Sequence, residues 1–482
     1  MSSSLVSSPF LILLSALLMA VAWLVPLAGP LNSLGWVILI RMAIVRNRKS
    51  AGWVCGLCGL IHLLIAFHWA GRTIYETTNL GVFGSIAGLI LFLVWESVPF
   101  SVFGLAASTL WRRGPDWIFL LVPIWILAER LWPKVFAWSI AHTYLDYPPV
   151  IQLAEVAGAS AVAALVMLFN VAAAYGSVFV WPDRMVATSV TLRWTSLAAA
   201  SSLVVACLIW GAVREHRIAA MQTTGARLRV AIVQVDPTVV GAIERLRELS
   251  DSVEGPVDLF VWPESALGIY HSALQDFRDQ QRTTELSEAP NPALDPYSNN
   301  RAYLLAGGKT YDEGGRDRGP YRNCAFLINS EKQIVGRTSK RTLMPIGEYV
   351  PLERLVPWFR EWLAVDTDLI PGVDFSPLEL ANGIKLGVTV CYEDTDPAIA
   401  SANVRSGADV LIGLINASAF TSPTTLQQHL RLARLRAVEN RTWFLRCSST
   451  GITCVIDPNG RLAKQLPCGV EAVLVAEIPC NL

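Results

Sequence analysis

Leu386-Gly-Val-Thr-Val-Cys-Tyr-Glu393 is an apolar, β-rich run that stops in a thiol, a phenol and a carboxylate. A short apolar run with a polar end predicts a buried strand. Two other runs end in the same manner. Residues 257–262 lead into Pro263-Glu264-Ser265, and residues 333–337 lead into Thr338-Ser339-Lys340. A cysteine, a carboxylate and an ammonium at strand ends can make a nucleophile with its base and an electrostatic clamp. The carboxylate can take the thiol proton. The cation can lower the thiolate pKa and stabilise a developing oxyanion. Taken singly each signal is weak. A cysteine at a strand end is more often a small core residue, Pro-Glu is often a turn, and a lone lysine is usually solvated.

Around these three ends lie further short β-rich runs, at 228–234, 301–309, 324–329, 410–416, 443–448, 453–457 and 472–477. Residues 324–329 and 333–338 read as a hairpin. Amphipathic stretches at 243–253 and 426–440 read as helices. This alternation predicts an α/β sandwich of sheets with helices outside, over residues 228–482. Residues 270–300 are polar and weakly periodic, which predicts a lid or arm over the site, or disorder. Residues 214–227 read as a linker.

The first 213 residues are different in kind. Seven apolar runs, at 9–29, 31–45, 52–70, 81–107, 117–132, 150–180 and 195–213, are candidates for a polytopic α-helical membrane domain of about seven helices. A spanning helix needs about 20 apolar residues. The second and fifth runs are short, and the sixth is overlong. Arg46, Arg48 and Lys49, then Arg112 and Arg113, then Arg184 and Arg193 fall in loops on one side. Basic loops face the cytoplasm, so the N-terminus is expected inside and everything after Val213 outside. Trp36, Trp53, Trp69, Trp111, Trp117, Trp132 and Trp181 read as an interfacial belt. Glu96, Glu129, Glu155, His62 and His68 lie in or near apolar segments. They mark a function or pair within the bundle. Cys55-Gly-Leu-Cys58 has redox or metal spacing, but inside an apolar helix it reads as small residues packing between helices.

The two halves explain the composition. The chain has 482 residues, 53% hydrophobic and only 16% charged, with 39 basic and 39 acidic residues and zero formal net charge. Soluble chains carry about 25% charged residues. The hydrophobicity excludes a disordered chain. Zero net charge gives no pull toward nucleic acid. Nine scattered cysteines do not make a disulfide scaffold. Cys447 with Cys454, or Cys468 with Cys480, could pair, and buried thiols are the equal alternative.

With their flanking residues, the three strand ends become specific. Trp262-Pro-Glu-Ser265, Lys340-Arg-Thr-Leu-Met-Pro-Ile-Gly-Glu-Tyr-Val-Pro-Leu-Glu353 and Gly387-Val-Thr-Val-Cys-Tyr-Glu393 resemble the nitrilase (carbon–nitrogen hydrolase) superfamily. The Gly-Glu-Tyr-Val-Pro word, together with Trp125-Ile-Leu-Ala-Glu-Arg130 and Ile151-Gln-Leu-Ala154, resembles the apolipoprotein N-acyltransferase family. The resemblance implies an αββα nitrilase-type sandwich after a membrane bundle in a bacterial inner membrane, with the catalytic side external. It implies Glu264 as general base, Lys340 as oxyanion stabiliser and Cys391 as nucleophile. Glu348, Tyr392 and Glu393 are the implied supports, and Asn416 and Tyr349 the implied substrate contacts. The implied partners are a phospholipid acyl donor and a diacylated apolipoprotein acceptor. A monomer is expected, with no metal, no cofactor and no nucleic acid. A membrane-anchored amidase that uses water as acceptor is the alternative, and the triad alone does not separate the two. Three departures bear on substrate preference: Thr338 replaces a tyrosine, and Ala417 and Ala419 replace an acid and a tryptophan.

Overall fold

The computed structural model describes residues 9–180, 193–221, 226–268, 302–311, 321–345, 347–350, 369–418, 420 and 422–480. The expected arm at 270–300 and Ala419 lie outside the described residues. The chain divides into two compact units, with the change from one to the other at residues 217–218.

The first unit is helical. It contains α1 (Pro9–Leu24), α2 (Gly29–Ile44), α3 (Arg48–Ala66), α4 (Ala70–Thr77), α5 (Gly81–Arg113), α6 (Leu121–Leu131), α7 (Pro148–Ile151), α8 (Ala154–Ala157), α9 (Ala159–Val180) and α10 (Trp194–Met221). Among them α3, α5, α9 and α10 are long and apolar enough to cross a membrane. Helices α1 and α2 are apolar but only 16 residues each. The fifth run is not one helix. Gly114 and Pro115 start a 3-10 turn, Pro115–Leu120, that passes into the 11-residue α6. The sixth run is broken as well. Gly158, at φ +64°, ends α8 and lets α9 set off in a new direction. The seventh runs past Val213 to Met221, through Arg214–Ala220, where strong helix formers and no Gly or Pro give it no reason to stop. Most of the expected linker is thus helix, and β1 begins at Ala226.

The connections alternate between two ends of this unit. At one end, Ser108 Oγ and Arg112 Nη2 donate to Arg46 O at 2.7 and 3.1 Å, and Arg193 Nε lies 3.3 Å from Asp116. Arg46 and Arg112 therefore gather at this end, with Arg193 beside Asp116. At the other end, Tyr147 Oη donates to Leu27 O at 2.6 Å, and Arg214 Nε donates to Glu155 at 2.7 Å.

Small residues allow helices α3 and α5 to touch. A Cβ on Gly59 would sit 2.5 Å from the Phe100 ring, and one on Gly104 would sit 2.7 Å from Cys55 Sγ. Close approach of this kind holds helices together in lipid, where apolar burial gives no net drive. Cys55 and Cys58 are free and buried, Cys55 against Gly104 of α5 and Cys58 donating to Ser15 Oγ of α1 at 3.4 Å. The tryptophan belt needs correction. Trp53 and Trp117 are exposed, but Trp36 is 2% exposed and packs on Phe100, Phe103 and Trp125, with ring centroids 5.5, 5.1 and 4.6 Å away. Trp69 and Trp111 are also buried. Hydropathy places a tryptophan near a helix end, but packing decides which way its ring faces.

The second unit is an αββα sandwich. Its strands are β1 (Ala226–Gln234), β2 (Leu259–Val261), β3 (Tyr303–Tyr311), β4 (Tyr321–Ile328), β5 (Ile334–Ser339), β6 (Leu378–Glu379), β7 (Lys385–Val390), β8 (Val410–Ile415), β9 (Phe444–Ser448), β10 (Cys454–Ile456), β11 (Leu462–Gln465) and β12 (Ala472–Cys480). Its helices are α11 (Ala242–Asp251), α12 (Pro397–Arg405) and α13 (Pro423–Asn440). One sheet has the order β12-β1-β2-β3-β4-β5 and the other β11-β10-β9-β8-β7-β6. Each sheet has a parallel centre, β1-β2-β3 and β7-β8-β9, with antiparallel neighbours. The period-2 rule assigns each strand's residues to two layers. Leu228, Val230 and Ile232 join Val388, Val390, Ile412 and Leu414 between the sheets. Ala231 and Val233 face α11, while Leu411 and Ile415 face α13.

Candidate active site

Parallel neighbouring strands deliver their C-terminal ends to the same edge of a sheet, and crevices form there. The ends of β2, β5 and β7 carry Glu264, Lys340 and Cys391. The three are brought together. Cys391 lies within hydrogen-bonding range of Glu264, and the charges of Glu264 and Lys340 both act on it.

Glu264 is buried, and each of its oxygens is held. Oε1 accepts from Asn323 Nδ2 and Oε2 from the Asn416 N–H, both at 2.7 Å. Its backbone lies against β3, where a Cβ on Gly307 would come within 2.5 Å of Glu264 Cα. Only glycine permits that approach. The next residue, Ser265, is at φ +63°.

Lys340 is 1% exposed, and its Nζ donates to Glu348 at 2.6 Å. Burial alone disfavours the ammonium. Cys391, Glu264 and Glu348 outweigh that cost and raise the Lys340 pKa, so the cation persists. Glu348 is fixed in turn by the Met344 N–H at 2.7 Å.

Cys391 opens a 3-10 turn, Cys391–Thr395, and sits at φ +57°. A left-handed non-glycine residue costs about 1–3 kcal/mol and needs surrounding structure to hold it. Burial pushes the Cys391 thiol well up, Glu264 adds to the shift, and Lys340 opposes it. The cation does act on the thiolate as expected, but burial outweighs it. The direction favours the thiol form.

Glu393 supplies much of the holding. It is fully buried and accepts from the Thr342 N–H at 2.9 Å, the Val390 N–H at 3.0 Å and the Arg341 N–H. One carboxylate thus ties the cysteine turn to the residues just after Lys340. Arg341 strengthens this tie, donating to Val388 O at 2.6 Å and Asn403 Oδ1 at 3.0 Å while lying over the Phe375 ring. Tyr392 is partly buried, which pushes its phenol up to about 12. Tyr349 is exposed. Asn416 Oδ1 accepts from Ser449 Oγ at 3.1 Å, and Ser449 Oγ accepts from the Ala417 N–H at 2.9 Å. Thr338 is buried in β5, opposite Ala325.

Sequence reading missed Asn323, Arg341 and Ser449. Asn323 had a visible signal: it is an amide beside the apolar run Cys324–Ile328, and a buried amide requires a partner. Every cysteine is a free thiol, so neither Cys447–Cys454 nor Cys468–Cys480 is bonded.

The Carbon-nitrogen hydrolase family model matches residues 229–482, and the Apolipoprotein N-acyltransferase N-terminal domain model matches residues 10–172. An apolipoprotein N-acyltransferase of Geobacter metallireducens is 28% identical, over 96% of this chain and 88% of that protein. One of Bdellovibrio bacteriovorus is 25% identical, over 89% of this chain and 79% of that protein. Saccharomyces cerevisiae Nit3, a member of branch 10 of the nitrilase superfamily, matches with TM-score 0.38 and 21% identity, over 52% of this chain and 90% of that one. The chain belongs to the apolipoprotein N-acyltransferase family, within the carbon–nitrogen hydrolase superfamily.

Proposed function

We propose that this family member moves an acyl chain from a membrane phospholipid to the N-terminal α-amine of a diacylglyceryl-cysteine on an apolipoprotein, by way of a thioester on Cys391. The observation that carries the reading is the meeting of Glu264 and Lys340, at strand ends of one sheet, with Cys391, at a strand end of the other, in a chain that also has membrane-length apolar helices.

In the first half-reaction Glu264 takes the Cys391 proton as sulfur attacks the ester carbonyl. Negative charge grows on the carbonyl oxygen, and the Lys340 ammonium is the cation available to it. When the tetrahedral species collapses, the glycerol oxygen leaves and takes the proton back from Glu264. The products are a lysophospholipid and S-acyl-Cys391. In the second half-reaction the lipoprotein amine attacks the thioester, Glu264 accepts the amine proton, and the departing Cys391 sulfur recovers it. The held oxygens of Glu264 keep the base in place through both steps. Glu348, Glu393 and Tyr392 are supports of the site in this reading, and Asn416 and Tyr349 contact substrate.

The gathering of Arg46 and Arg112 at one end of the helical unit, with Arg193 beside Asp116, supports a cytoplasmic face there. Helix α10 ends at the opposite side, so the sandwich follows on the external face of a bacterial inner membrane. The enzyme acts as a monomer. The amidase alternative uses the same three residues with water as acceptor. The test supplies phospholipid and a diacylated lipopeptide. The expected result is a fatty-acyl adduct on Cys391 by mass spectrometry and a third acyl chain on the peptide. Release of free fatty acid with no peptide product would favour the amidase. Absence of an adduct, with Cys391→Ser no worse than the wild type, would sink both.

A further inference from the structure

Two carboxylates follow the nucleophile, and they face opposite ways. Glu393 reaches toward Arg341 and Thr342. Asp394, fully buried, reaches toward α13 and β9. Its Oδ1 accepts from His429 Nε2 at 2.7 Å and its Oδ2 from Arg446 Nε at 2.8 Å. Arg446 Nη2 lies 3.2 Å from His429 Nδ1. A guanidinium has donors only, so Nδ1 is the acceptor and the ring hydrogen sits on Nε2. The three side chains thus close a ring of hydrogen bonds around a neutral imidazole of fixed tautomer. Arg446 is held further by Ile452 O at 3.0 Å. The residue after Asp394 is also held from α13, since Arg436 Nη1 donates to Thr395 O at 2.9 Å. Burial acts to raise the Asp394 carboxyl, but His429 and Arg446 overcome it and hold the group below the usual carboxylate range.

A left-handed Cys391 does not hold itself. Glu393 ties its turn to Val390 and to the residues after Lys340, and on the opposite side, among the described residues, the Asp394 ring and Arg436 hold the residues that follow. We infer that His429, with Asp394 and Arg446, is a positioning residue that sets where the Cys391 sulfur stands relative to Glu264 and Lys340. It touches neither substrate nor the reacting atoms. This rests on the acyl-transfer reading for the nature of the substrate, but not for the geometry of the thiol.

The test compares His429→Leu, which removes donor and acceptor, with His429→Gln, whose amide supplies both. Two quantities are read on folded, full-length enzyme: single-turnover acylation of Cys391 by phospholipid, and the rate at which iodoacetamide alkylates Cys391. Misplacing a reacting group by about 1 Å costs up to ~100-fold. His429→Leu should lower the acylation rate at least ~10-fold with KM for phospholipid unchanged, should shift the alkylation rate, and His429→Gln should recover most of both. Wild-type rates in His429→Leu, or a Gln variant no better than Leu, would overturn the inference. Should leucine at 429 prevent folding, Asp394→Asn replaces it, with the same two outcomes. If the wild type itself forms no thioester, the acyl-transfer reading fails, while the alkylation rates still decide the role of His429.

Discussion

The helical unit and the sandwich both bury charged groups, but they treat them differently. In the sandwich the buried carboxylates near the nucleophile are saturated. Glu264 has two donors, Glu393 has donors on both oxygens, and Asp394 has His429 and Arg446. In the helical unit the pairing is uneven. Glu96 accepts from Trp138 Nε1 at 2.9 Å, and Glu129 accepts from Ser139 Oγ at 2.7 Å and the Ile140 N–H at 2.9 Å. His62 Nδ1, Trp125 Nε1 and both amide atoms of Asn170 are buried with no hydrogen-bond partner among the described residues. The lesson concerns precision. Around Cys391 the carboxylate oxygens are filled, although Asn323 Oδ1 and Arg341 Nε are buried with no hydrogen-bond partner among the described residues. Where the task is to stand in lipid, aromatic and small-residue packing carries the structure, and some polar groups go unmatched.

That contrast can be broken by substitution, beginning with the largest expected effect. Glu393→Ala strips a saturated carboxylate and leaves Arg341 and three backbone N–H groups without it. Removing one partner of a buried pair costs about 3–5 kcal/mol. Thermal unfolding in detergent should show that loss, and acylation should be abolished.

The acid limb comes next. Asp394 titrates below its ordinary range when folded, so its contribution is present above about pH 4 and is lost as pH falls through the lowered value. Wild-type stability should drop on that limb, and Asp394→Asn should flatten it, as followed by urea unfolding across pH. Gly307→Ala places a Cβ against Glu264 Cα. Overpacking of this kind costs about 1–3 kcal/mol, with a matching fall in the acylation rate.

Two changes in the helical unit should be milder. Glu129→Ala frees a buried serine and a backbone N–H, for about 1–2 kcal/mol by thermal unfolding. Glu96→Gln keeps an oxygen for Trp138 and should stay within about 0.5 kcal/mol of wild type. A large loss there would mean that the helical unit needs its charge as much as the sandwich does.

The sequence was most readable where a local pattern ended in chemistry. Strands β2, β5 and β7 declare themselves because apolar runs stop at Glu264, Lys340 and Cys391. Glu348 came with the resemblance, but the contacts of Glu264 were not readable from a local pattern. Asn323 reaches Glu264 from β4 and Asn416 from the end of β8, contacts that only the sheet order creates. The short helix Pro397–Arg405 was missed because its small residues give no strong apolar stripe. In the helical unit hydropathy found the seven runs but not the breaks within them. Gly158 and the Gly114-Pro115 pair redirect the backbone without changing how apolar the run is. Trp36 misled for a related reason, since an amphipathic ring suits a membrane interface and an aromatic core equally well.

The raised Cys391 pKa has a consequence for the enzyme between turnovers. Oxidants and electrophiles attack thiolates far faster than thiols. A thiol that stays protonated is chemically quiet. With all nine cysteines unbonded, that quietness limits oxidation at the sulfur proposed to carry the acyl group.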